Sequence, residues 1–167
     1  MNDLFLKKFF LSGFIVLLLI PKIEVLSQLQ PNNIGDLTRQ SHIEVTMEFN
    51  GRSGYNHYFT PKELKFFTGK LYKLILTNNS DSPHYFTSNE FVKSIFTRKI
   101  QIVKNNEKIA EIKGNINNIE VYPGNSVEWW FVPIKTGIFN DLQCSVYDKK
   151  KMRKHSEMGM RGVIIIE

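Results

Sequence analysis

The sequence predicts an all-β fold, a sandwich or barrel of antiparallel strands. Two observations predict it. Short runs rich in alternating or β-branched residues recur along the chain, and clusters of Asn, Ser, Asp, Pro and Gly separate them. Only two short stretches show helical spacing. The chain has 167 residues, of which 42% are hydrophobic and 13% aromatic, enough apolar matter for the core of one domain.

The N-terminus differs from the rest. Lys7 and Lys8 precede an apolar run from Phe9 to Ile20, closed by Pro21 and a polar stretch. This is the build of a secretory signal over residues 1–27, with Val25-Leu26-Ser27 as the cleavage region; the alternative is a retained N-terminal anchor. Residues 28–41 read as a polar linker, and residues 42–167 as the folded domain. The segment implies export, to a periplasm or a thylakoid lumen, with membrane attachment only if it is kept.

Within the domain, "HIEVTMEF" places Ile43, Val45, Met47 and Phe49 on one face, the period of a half-buried strand. "GRSGYN" is a turn. Further strands are expected at Lys70 to Thr77, Arg98 to Val103, Lys108 to Lys113, Asn118 to Tyr122, Val127 to Val132 and Gly162 to Glu167. The stretches between them, such as Asn-Asn-Ser-Asp-Ser-Pro and Pro-Gly-Asn, carry turn chemistry. "NEFVKSIF" spaces Phe91, Ile95 and Phe96 for a short helix behind an Asn89 cap, and Asp148 could cap the Lys-rich stretch after it. Trp129 and Trp130 read as core or flanking aromatics, and Glu128 as an outward residue of the same strand.

The formal net charge is +6. Removing residues 1–27, with Lys7, Lys8 and Lys22 against Asp3 and Glu24, leaves about +5 (6 − 1). The excess concentrates in Lys149, Lys150, Lys151, Arg153 and Lys154. That cluster is either a solvated loop tip or a docking patch for an acidic protein partner. No nucleic-acid motif accompanies it, so nucleic acid is the weaker reading and is not expected as a partner.

The chain has one cysteine, Cys144, which in an exported protein can have no intramolecular partner. It is a metal thiolate, a reactive thiol, an intermolecular bridge or a buried hydrophobe. Its neighbours in sequence favour the metal: "HSEMGMRGVIIIE" sets His155, Met158 and Met160 around Gly159 ahead of an apolar strand. Imidazole, thiolate and thioether donors suit copper, whereas calcium and magnesium take oxygen. Upstream, His84 follows a strand and a polar turn, with Pro83 setting the approach. His84, Cys144, His155 and Met160 together describe a His₂Cys set with a weak axial Met, the pattern of a blue-copper electron-transfer site.

At these residues the sequence resembles the cupredoxins of the plastocyanin and azurin type, over about His42 to Glu167. The matching stretches are "LILTNNSDSPHYFTS", "IEVYPGNSVEWWFVPIKTGIFNDLQC" and "HSEMGMRGVIIIE". The resemblance implies a cupredoxin-like Greek-key β-sandwich with short helical insertions. It implies one bound copper ion cycling between Cu(I) and Cu(II), with His84, Cys144 and His155 as trigonal ligands and Met160 as the axial one. It also implies a single-electron carrier, not an enzyme, that docks a redox protein near residues 149–154. Two alternatives share the fold: a copper carrier or buffer, and a metal-free interaction module.

One departure from the family stands out. Ten residues, "SVYDKKKMRK", separate Cys144 from His155 where relatives have only a few, often with Pro-Gly before the His. Doubling a loop costs only about 0.6 kcal/mol, so the site should assemble, but a floppier loop is expected to hold His155 less firmly and admit water. Met152, His155 and Met158, spaced i, i+3, i+6, could present a competing thioether. His42 and His57 have no comparable surroundings and read as ordinary strand or loop residues. Catalysis by a Cys144–His155 pair is the enzyme alternative; a binuclear copper site would need a second cysteine.

Overall fold

The computed structural model describes residues 36–105 and 107–167. The signal or anchor expected at 1–27, and the linker up to residue 35, lie outside the described residues. No helix among the described residues is long and apolar enough to cross a membrane.

Among the described residues there are thirteen strands, one short α-helix and one 3-10 turn. The first sheet runs in the order β2 (Asn56–Thr60), β1 (Ile43–Arg52), β4 (Tyr72–Asn78), β9 (Ser126–Pro133), β6 (Ile95–Lys104), β7 (Glu107–Ile112). The second runs β3 (Glu63–Phe66), β13 (Arg161–Ile166), β10 (Gly137–Gln143), β5 (His84–Thr87), β8 (Asn118–Val121). A small ribbon of β11 (Tyr147–Asp148) and β12 (Arg153–Lys154) stands apart from both. The expected all-β sandwich is thus present, though its sheets are mixed: β1 pairs β4 in parallel, and β13 pairs β3 in parallel.

Alternation explains which side chains close the interior. Along β1 the inward set continues to Met47 and Phe49; in β4 it is Tyr72, Leu74 and Leu76; in β9 it is Val127, Trp129 and Phe131. Phe66, Phe86, Leu142, Ile164 and Ile166 answer from the second sheet. Phe91 seals one end. It lies on α1 (Asn89–Val92), stacked on Phe66 and edge-to-face with Phe86, Trp129 and Phe131.

The helix is shorter than "NEFVKSIF" suggested. It ends before Ile95 because Ile95 and Phe96 join β6 against Pro133 and Val132. Its cap also differs. Ser88, not Asn89, is the N-cap residue, and Asp141 of β10 accepts hydrogen bonds from Ser88 Oγ and the Glu90 N–H. Trp129 is buried as expected, with its indole N–H on Thr97 Oγ1. Trp130 lies on the outer face, beneath the Lys99 ammonium at 4.8 Å and against His42 at 4.6 Å, and donates to Glu128. His42 is accordingly a surface residue.

Candidate metal centre

Local chemistry sets each donor at one end of the sandwich. The polar run after β4 is a folded knot, not a loose turn. Buried Asn78 donates to the Ser82 and Val121 carbonyls and accepts from the Ser80 N–H and hydroxyl. Ser80 Oγ then stands 2.7 Å from His84 Nε2. Its single proton is committed to Asn78 or Ser82, so the His84 Nε2–H donates to it. The Nδ1 lone pair is left facing inward.

Cys144 follows β10 directly, and β10 abuts β5 through Gln143 and Thr87. The Tyr85 N–H points at Cys144 Sγ at 3.3 Å. His155 opens a 3-10 turn, His155–Met158, whose backbone returns to the cysteine segment: the His155 N–H reaches the Val146 carbonyl, and the Ser156 N–H reaches the Cys144 carbonyl. Gly159 takes a φ of 105° at the end of that turn, a conformation that favours glycine, and redirects the chain into β13. Met160 arrives fully buried, its N–H on the His155 carbonyl and its carbonyl accepting from the Cys144 N–H.

The structure therefore brings together His84, Cys144 and His155. Cys144 Sγ lies 3.6 Å from each of His84 Nδ1 and His155 Nδ1, and the two nitrogens are 3.0 Å apart. A point equidistant from all three lies about 2.0 Å from each, the radius of the circle through a triangle of sides 3.0, 3.6 and 3.6 Å. Imidazole–metal bonds are about 2.0–2.1 Å and thiolate–metal bonds about 2.3 Å for a transition metal such as zinc. A trigonal metal ion fits this triangle, and a donor set of two imidazoles and a thiolate suits copper. Met160 is the buried methionine tied to both flanking residues; Met152 is 70% exposed at the tip of the ribbon.

Electrostatics at the triangle suit a cation. Burial lowers the His84 pKa to about 3, helped by the neighbouring His155 and His57. Burial likewise lowers that of His155 to about 4, with His57 next in effect. Both rings are neutral donors at ordinary pH. Burial pushes the Cys144 thiol up, only partly offset by the N–H groups of Tyr85 and Val146. A bound cation would reverse that penalty. Because Cys144 is wholly buried, an intermolecular disulfide would require the end of the sandwich to open.

Two expectations are corrected here. The long loop is an ordered ribbon, and Asp148 makes it so. Asp148 caps no helix; its Oδ1 accepts from the Lys150 and Lys151 N–H groups, and its Oδ2 accepts from the Gly54 N–H at 2.8 Å. Burial works to raise the Asp148 carboxyl, yet those N–H groups and the His57 ring outweigh it and hold it well below the usual carboxylate range. His155 is 1% exposed, so its side chain is shielded from solvent in this arrangement, unlike the open loop expected from its length.

The second correction is His57. Far from an ordinary loop residue, it is fully buried, its ring stacked on His155 at 3.7 Å and 4.9 Å from that of His84. Its Nε2 lies 3.3 Å from Asp148 Oδ2. Sequence reasoning missed it although a signal was present: in "NHYFT", His57 falls two residues before Phe59, on the inward face of an alternating strand.

No family model matches the chain, and no curated protein matches it in sequence. Solved structures match in fold. A copper-containing nitrite reductase from Thermus scotoductus aligns over 75% of this chain and 30% of its own, at 12% identity and a TM-score of 0.50. A multicopper oxidase from Campylobacter jejuni aligns over 76% and 30%, at 16% identity and a TM-score of 0.46. Auracyanin from Roseiflexus castenholzii aligns over 77% and 98%, at 17% identity and a TM-score of 0.43. The chain spans under a third of the length of the oxidase and the reductase. The fold is that of the cupredoxins.

Proposed function

We propose that the protein is an exported, single-copper electron carrier whose ion is held by His84, Cys144 and His155, with Met160 as axial donor. The observation behind this reading is the donor triangle, three buried atoms equidistant from one point at metal-bond length. Copper would supply a one-electron couple.

The chain's own residues supply fixed positions. Ser80 holds the His84 ring by its far nitrogen, the Tyr85 N–H holds the sulfur, and the 3-10 turn holds His155. Donors fixed in this way reorganise little between oxidation states. The core behind them and the Asp148 ribbon in front exclude water.

Docking is proposed at the ribbon. Lys149, Lys150, Lys151, Arg153 and Lys154 are all exposed on the segment that leads into His155, with Met152 exposed among them and Tyr55 exposed beside Lys151 and Arg153. A basic rim around exposed apolar groups suits an acidic redox protein. Export to a periplasm or thylakoid lumen belongs to the same reading.

The test is stoichiometric cycling of the copper-loaded protein with a one-electron reductant and oxidant. The carrier reading expects full, repeatable bleaching and recovery at one electron per protein. Tight Cu(I) binding without recovery on oxidation would favour a copper carrier; catalytic turnover of oxygen or nitrite would favour an enzyme.

A further inference from the structure

We propose that His57 is a third imidazole donor to the same ion, so that the centre is a His₃Cys site closed by an Asp148–His57 pair. This rests on the copper reading above and adds a ligand to it.

Among the described residues, His57 Nδ1 is the only buried side-chain nitrogen or oxygen found without a hydrogen-bond partner. Leaving such an atom unsatisfied costs about 1–3 kcal/mol, and the fold retains it at a fully buried position. The tautomer is set from outside. Asp148 is ionised and already accepts three backbone N–H groups, so the 3.3 Å contact has His57 Nε2–H donating to its Oδ2. Nδ1 therefore carries a free lone pair. A carboxylate on the far nitrogen is how proteins orient and strengthen a metal-binding histidine.

Position agrees. One ring nitrogen from each of His57, His84 and His155 lies within 4.8 Å of those of the other two. Two nitrogens on one ion stand at most about 4.2 Å apart, twice the bond length. The widest pair would therefore close by under an ångström. The ring stack on His155 has to open for this: planes 25° apart with centroids at 3.7 Å do not both pass through one ion at bond length, so loading turns the His57 ring about its Asp148 contact.

A third imidazole beside the thiolate and Met160 changes the donor set, so the expected spectrum would differ from that of a His₂Cys set with Met160. Two segments make this possible together. The "GRSGYN" turn before β2 and the Cys144–His155 ribbon meet where the Gly54 N–H binds Asp148.

The experiment uses the full chain, labelled with ¹⁵N-histidine and loaded with one equivalent of Cu(II), read by pulsed electron–nuclear double resonance. Wild type should show three strongly coupled imidazole nitrogens and His57→Gln two, with Cu(I) affinity falling about tenfold or more, since even residues that only orient a ligand change affinity 10–100-fold. Two couplings in wild type overturn the proposal, whether or not His57→Gln folds. A thiolate-to-copper band with two couplings removes His57 alone; no band at all removes the copper reading and this ligand with it.

Discussion

Replacing Asp148 with alanine should destabilise the metal-free protein by about 2–6 kcal/mol. The carboxylate accepts from four donors at once: the N–H groups of Gly54, Lys150 and Lys151, and the His57 ring. The two lysine N–H groups head exposed side chains and can turn to water. The Gly54 and His57 donors sit beneath the ribbon, and each left unpaired costs about 1–3 kcal/mol. Asp148→Asn, with its amide oxygen turned to Gly54 and His57, keeps those two donors paired and should lose roughly half as much. Urea denaturation in the presence of a chelator measures this as a fall in midpoint with an unchanged slope. A loss below about 1 kcal/mol for Asp148→Ala would refute the role given to this residue in ordering the ribbon. Thermal melts of the two variants should keep the same order.

Further outcomes follow from the same geometry. The folded His84 and His155 pKa values, about 3 and about 4, lie below the unfolded value of 6.5. The unfolded chain therefore binds protons first, so metal-free stability is full above pH 6.5 and declines as pH falls through about 4 toward 3; a urea midpoint unchanged from pH 7 to pH 4 would contradict this. Met160→Leu preserves volume and should cost under about 1.5 kcal/mol while shifting the copper spectrum, whereas the exposed Met152→Leu should shift neither stability nor spectrum. Phe91→Ala opens a cavity among Phe66, Phe86, Trp129 and Phe131 and should cost about 3–5 kcal/mol by denaturant titration.

Strands buried on one face were legible because their apolar residues alternate: β1, β4, β6, β9 and β13 all fall where β-branched or aromatic runs predicted them. The strands β2 and β3 were not, since "NHYFT" and "ELKF" are short and gain strand character only from neighbours already in place. The candidate set His84, Cys144 and His155 was legible from residue type and order, and the structure places these three side chains together. The ordering of their long loop was not. It depends on Asp148 reaching Gly54, 94 residues away in sequence, a contact no local pattern encodes. His57 was overlooked because its place on the inward face of "NHYFT" shows only that it is buried, while what it touches comes from residues distant in sequence.

The most direct test of the central claim is a visible absorption titration of the protein with Cu(II), repeated on Cys144→Ser. The donor triangle predicts an intense thiolate-to-copper band that saturates at one equivalent in wild type and is absent in the variant. A wild type without such a band, or a band that survives in Cys144→Ser, would contradict copper held by Cys144 between His84 and His155.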